Sequence, residues 1–152
     1  MQSLPYLEAI LKQKSLRQIL NSKELAQLGD FLANFLYSTV KLAIKGSSGS
    51  RHVWDQSLKD AMEIANMRQF LGKRTKPEKV ADAAEAFLGY CYFREVLSVD
   101  EMLVILSQNL NKEDFDILRI EKDACASAFS ELLKVLALKA KELDYIDPSM
   151  DL

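Results

Sequence analysis

The stretch that decides the fold is Val80–Phe93, VADAAEAFLGYCYF, apolar almost throughout and broken only by Asp82 and Glu85. A helix that is apolar nearly all round belongs in a core. An ionised side chain in such a place is costly unless something cationic answers it. Asp82 and Glu85 are three apart, which puts them on one face, roughly 60° apart around the axis. Gly89 continues that face four residues later and leaves a shallow notch beside the acids. The pattern implies a metal or ligand site, or else a hidden salt bridge.

The rest of the chain reads as helix. Only five glycines and three prolines punctuate 152 residues, and no segment alternates as a strand would. The expectation is an all-α fold of six or seven helices in a single domain spanning 1–152, with its core over about 4–143 and a loose acidic tail over 144–152. One or two short amphipathic helices run from Leu4 to about Leu20, with Pro5 in the first turn. Asn21 with Glu24 signals a capping box for a long helix over Ser22–Lys45, ended by Gly46 and a flexible Gly46–Ser50 loop. A third helix is expected over Trp54–Phe70, with Trp54 as a packing anchor and His52 incidental. A basic loop follows over Gly72–Lys79, then the acid-bearing helix over Glu78–Leu97. Ser98 with Glu101 caps a short helix to about Leu110, and Asn111 caps a last one to about Leu143.

Composition narrows the function. A hydrophobic share of 49%, a charged share of 28% and a net charge of −2 describe a globular domain that is no general trap for nucleic acid. Binding to a polyanion must then rest on a local patch. Cys91 and Cys125 lie in apolar helical stretches and read as buried, reduced thiols. Glu8, Lys12 and Lys14 break any secretory core near the start, and no apolar stretch approaches membrane-spanning length. These features point to a cytoplasmic protein with no membrane association.

Candidate chemistry lies on two helices. In LGDFLANFLY, Leu28–Tyr37, a polar stripe of Asp30, Asn34, Ser38, Lys41 and Lys45 stands apart from Leu28, Phe31, Leu32, Phe35 and Leu36, which are expected to face the core. Gly29 would let another helix approach closely, at a cost in helix propensity. If Gly29 meets the Gly89 notch, Asp30, Asp82 and Glu85 converge. Three carboxylates at one point suit a hard divalent cation with oxygen ligands. His52 is the single histidine, which argues against zinc.

LAQLGDFLANFLY and VADAAEAFLGYCYF resemble the two acidic signatures of the ribonuclease III catalytic domain, an all-helical fold. The first signature ends in Leu-Gly-Asp, and the second reads Ala-Asp-x-x-Glu-Ala followed by a Gly and a Tyr. The resemblance covers about Asn21–Leu97. It implies that Asp30, Asp82 and Glu85 are the catalytic, metal-binding acids, with Mg²⁺ as cofactor and Mn²⁺ able to substitute. It further implies an endoribonuclease that cuts double-stranded or structured RNA as a homodimer, with RNA contacts at Arg68, Lys73, Arg74, Lys76 and Lys79. The family's first glutamate falls on Ala26, and the aromatic that often follows it falls on Gln27. The compact Mini-III branch is similar in having alanine there and in lacking a double-stranded RNA-binding domain, which points to ribosomal RNA precursors as substrates. Ala26 supports a rival reading, a non-catalytic member binding RNA or protein. A small-molecule metal-dependent phosphohydrolase fits the acids but not the order of the signatures.

Overall fold

The computed structural model describes residues 4–12, 15–47 and 52–147, and every regular element among them is helical. In chain order these are α1 Pro5–Leu11, α2 Leu16–Leu20, α3 Lys23–Lys45, α4 Asp55–Ile64, α5 Pro77–Phe93, α6 Val99–Gln108 and α7 Leu118–Glu142, with short 3₁₀ turns at Arg68–Phe70 and Lys112–Phe115. The all-α expectation holds. The Gly46–Ser50 loop lies largely outside the described residues, as does the tail from Pro148 onward.

Helix α5 is the axis of the molecule. From Val80 to Cys91 only Asp82 is not buried, and the helix packs against α2, α3, α4 and α7. Burying Phe87 completely stabilises the fold by roughly 2–3 kcal/mol. The closest contact is with α3, where two glycines let the backbones touch. A Cβ on Gly29 would stand 1.7 Å from the carbonyl oxygen of Glu85, and one on Gly89 would stand 2.8 Å from that of Leu25. No rotamer relieves a clash with backbone, so these positions require glycine despite its helix penalty of about 1 kcal/mol.

Helix ends differ from the sequence expectation in ways that local chemistry explains. Ser22, not Asn21, caps α3, accepting from the Leu25 N–H at 3.3 Å. Asn21 is spent backwards, donating to the Arg17 carbonyl at 2.7 Å to close α2. The expected Trp54–Phe70 helix is split, because Asn66 takes a left-handed conformation (φ 60°) after Ala65. The expected Glu78–Leu97 helix starts one residue earlier, at Pro77, and stops at Phe93, with Glu95 at φ 57°. The Ser98–Glu101 capping box on α6 is present, with bonds of 3.1 and 2.8 Å. Asn111 caps the 3₁₀ turn at Lys112–Phe115, and α7 begins only at Leu118. At the far end Ile146 is buried and the Tyr145 carbonyl accepts from Tyr90 Oη at 2.9 Å, so packing extends beyond Asp144.

The largest correction concerns α3. Its core face is Leu25, Gly29, Ala33, Leu36, Tyr37 and Val40. Leu36 is buried as expected, but Leu28, Phe31 and Phe35 are 39%, 73% and 56% exposed. The glycine contact with α5 fixes the rotation of α3, and that rotation turns this second apolar stripe outward. It also buries Lys41, a member of the expected polar stripe. Lys41 Nζ pairs with Glu121 Oε2 of α7 at 2.8 Å, and Tyr37 donates its hydroxyl to the same oxygen. Leaving either ion of that buried pair unanswered would be strongly destabilising. Trp54 packs edge-on to Tyr37, ring centroids 6.0 Å apart, as an anchor should.

Candidate active site

The glycine contact sets the geometry of the acids. Because α3 and α5 touch at Gly29 and Glu85, Asp30 follows directly beside Glu85. Glu85 is 5% exposed, and its carboxyl is hydrogen-bonded to that of Asp30. Burial, that hydrogen bond, and the charges of Asp30, Asp82 and Asp55 push its pKa up to about 9. Without a bound cation Glu85 therefore keeps its proton at neutral pH and donates it toward Asp30. Asp82, about half exposed, lies 3.6 Å from Lys79 Nζ one turn earlier. No described basic residue answers Glu85.

Asn34, one turn beyond Asp30, ties the site to the segment entering α4. Its Nδ2 donates to Asp30 Oδ1 at 3.2 Å and lies 2.9 Å from His52 Nδ1. Its Oδ1 accepts the Val53 N–H at 2.7 Å. His52 is thus part of the site's frame and not incidental. Two residues after Val53 comes Asp55, the first residue of α4. Its carboxyl is raised above the usual range by partial burial and by the charges of Asp82, Asp30 and Glu78. Sequence reasoning missed Asp55, since an acid in the first turn of a helix is ordinarily explained by the helix dipole.

Ala26 lines a cavity of about 240 Å³ together with Lys23, Thr75, Lys79 and Asp82. Among the described residues no three His, Cys, Asp or Glu side chains stand ready-made as a coordination shell. The donor set is nonetheless the right chemistry for a hard divalent cation, being all carboxylate with one member buried and unanswered.

The basic residues divide. Arg68 is turned inward on its own loop, its Nη1 donating to the Leu71 and Gly72 carbonyls at 3.4 and 3.0 Å and its Nη2 to Lys73 O at 3.3 Å. It shapes the loop. Lys73, Arg74 and Lys76 are exposed on that loop, and Lys79 lies in the first turn of α5, not in the loop. Of the four, Lys79 stands beside Asp82, 3.6 Å from its carboxylate.

No helix among the described residues is long and apolar enough to cross a membrane. No curated protein matches the chain. The family model described as Ribonuclease III matches residues 23–142, from the first residue of α3 to the last of α7, and so takes in the crossed α3 and α5 with all their acids. The chain belongs to the ribonuclease III family.

Proposed function

We propose that the protein is a divalent-metal-dependent endoribonuclease that cuts double-stranded or structured RNA, with residues 1–152 acting as one ribonuclease III-like domain. The observation that carries this reading is Glu85: a residue 5% exposed, its carboxyl faced by Asp30 and by the charges of Asp82 and Asp55, with no described cation to answer it. Such an arrangement is unfavourable in a purely structural core and is explained by a positive ion. Asp30, Asp82 and Glu85 would hold Mg²⁺, or Mn²⁺ in its place. Such an ion supplies Lewis acidity at a phosphodiester and lowers the pKa of the attacking water. The chain's own part is to keep Asp30 and Glu85 at a spacing set by the α3–α5 backbone contact and to keep Glu85 dry.

Lys73, Arg74, Lys76 and Lys79 supply phosphate contacts, with Arg68 bracing the loop that presents them. Double-stranded RNA is recognised through its backbone, 2′-hydroxyls and shape, so a small cationic ridge beside the acids is suitable. Structured precursors such as those of ribosomal RNA offer duplex segments of this kind. A homodimer is favoured by the outward stripe Leu28, Phe31, Phe35 and Leu42, whose alternating spacings of three and four, bridged by Ser38, are those of a helix–helix seam. Beside it lies a groove of about 320 Å³ lined by Gly89, Tyr92, Phe93 and Val99, able to receive an aromatic from a second copy. The two buried free thiols suit a cytoplasmic location.

The lack of a ready-made coordination shell among the described residues, together with Ala26, favours a second reading: a family member with a degraded site that binds RNA without cutting it. Cleavage of a long RNA duplex in Mg²⁺ or Mn²⁺, with Glu85→Gln alongside, separates the two. Metal-dependent cutting lost in the variant is the expected result. Duplex retention without cutting by either protein would establish the second reading.

A further inference from the structure

We propose that His52, on the segment entering α4, is a substrate-contacting residue that presents its Nε2–H to a backbone phosphate oxygen of RNA beside Asp30. On the RNA reading above, this adds a neutral donor to the cationic ones. The orientation of the Asn34 amide is fixed by its partners. Asn34 Oδ1 accepts the Val53 N–H at 2.7 Å, and Nδ2 donates to Asp30 Oδ1 at 3.2 Å. Turning the amide over would set N–H against N–H at Val53 and oxygen against oxygen at Asp30. Nδ2 is therefore the atom that meets His52 Nδ1, 2.9 Å away, and it can only donate.

The tautomer of His52 follows from that contact. A ring nitrogen that accepts carries no proton, so the imidazole bears its one N–H at Nε2. His52 is exposed, and its Nε2 has no partner among the described residues. Nδ1 lies within about 6 Å of Asp30 Oδ1, the most that contacts of 2.9 and 3.2 Å to one shared nitrogen allow. The ring also stands on a fixed backbone, since Val53 beside it is buried and bonded to Asn34. A donor already held in place loses little freedom when it binds.

A competing explanation is that His52 only satisfies the second amide proton of Asn34. That contact is solvent-exposed, so water would serve it nearly as well. Any short acceptor would do the same, and neither needs an imidazole. A neutral N–H has a use that a lysine or arginine here would not. A cation this close to Asp30 would pair with it, whereas a neutral donor addresses a phosphate and leaves the carboxylate free. The two explanations therefore part on which ring nitrogen matters.

The test is equilibrium binding of a fluorescently labelled RNA duplex to the full chain in chelator, over a range of salt, for wild type, His52→Asn and His52→Gln. Folding is checked by thermal melting. Asparagine carries its amide oxygen where Nδ1 stands, so it keeps the Asn34 contact and has nothing at Nε2. Glutamine brings an N–H to the Nε2 position and gives up the Asn34 contact. His52→Asn should weaken binding about tenfold, as loss of a hydrogen bond to a charged group does, and His52→Gln should stay within about threefold of wild type. Neither should change the slope of log affinity against log salt, because a neutral donor releases no counterion. Wild-type affinity in His52→Asn would overturn the inference and leave the RNA reading standing. A loss in His52→Gln as large as in His52→Asn would do the same, marking the Asn34 contact as what counts, and a slope reduced by about 1 would show a cation instead of a neutral donor. No saturable duplex binding to wild type would remove the RNA reading and the inference together.

Discussion

Replacing Glu85 by glutamine should make the ion-free protein more stable, and by an amount that depends on pH. The folded carboxyl has its pKa pushed up to about 9 from an ordinary 4.5. Between those values the native state binds a proton that the unfolded chain has released. Stability must therefore fall as pH rises, by about 1.4 kcal/mol per pH unit for one group. At about pH 7.5 the accumulated cost reaches about 4 kcal/mol. Water at the mouth of the site screens part of this, and half of it, about 2 kcal/mol, is the magnitude to expect. Glutamine has nothing to ionise and keeps a hydrogen-bonding end for Asp30. For a domain of this size, about 2 kcal/mol is worth roughly 4–8 °C in melting temperature. The assay is thermal unfolding by circular dichroism after chelator treatment, across the range from about pH 5 to pH 8. The melting-temperature gap between variant and wild type should open steadily as pH rises. Addition of Mg²⁺ or Mn²⁺ should raise the wild type alone, since the ion takes the place of the proton. A gap that is the same at every pH, or a variant less stable at the alkaline end, would falsify the account of Glu85 as a buried, unanswered acid.

Gly29→Ala places a Cβ 1.7 Å from the Glu85 carbonyl oxygen, and prying α3 from α5 should cost about 3 kcal/mol or more in urea unfolding; a loss below ~1 kcal/mol would mean the helices are less closely engaged. Phe31→Glu together with Phe35→Glu should abolish the proposed dimer in sedimentation equilibrium with helicity retained, since both rings are mostly exposed; a dimer that persists would move the interface off α3. Neutralising Arg74 and Lys76 should weaken RNA duplex binding and reduce the slope of log affinity against log salt by about 1–2. An identical slope would put the RNA surface elsewhere.

What the sequence made legible was local chemistry. The Ser98–Glu101 capping box is a four-residue signal and it formed as read. The meeting of Gly29 with α5 followed from two helix-breaking residues tolerated inside strong helices, and it brought Asp30 to Glu85. What stayed hidden needed the third dimension. Periodicity shows that Phe31 and Phe35 share a stripe, but a stripe meant for the core and one left outward look alike along a chain. Lys41 belongs to a polar register, yet its partner, Glu121, stands on another helix 80 residues away. Asn66 and Glu95 end helices in left-handed conformations without the glycine that usually announces them. Asp55 was concealed by having an ordinary explanation available.

On the proposed function, the contact of α3 with α5 separates two properties that are usually bound together in a metal site. Donor spacing is set by main chain meeting main chain at Gly29 and Gly89, and no side chain at the crossing decides it. Donor identity would be set around the rim, at positions such as Ala26, whose side chain borders open space. A selection aimed at a different metal preference should therefore randomise position 26 freely and hold 29 and 89 fixed. Within that arrangement position 26 can change while the frame, held by backbone against backbone, stays as it is.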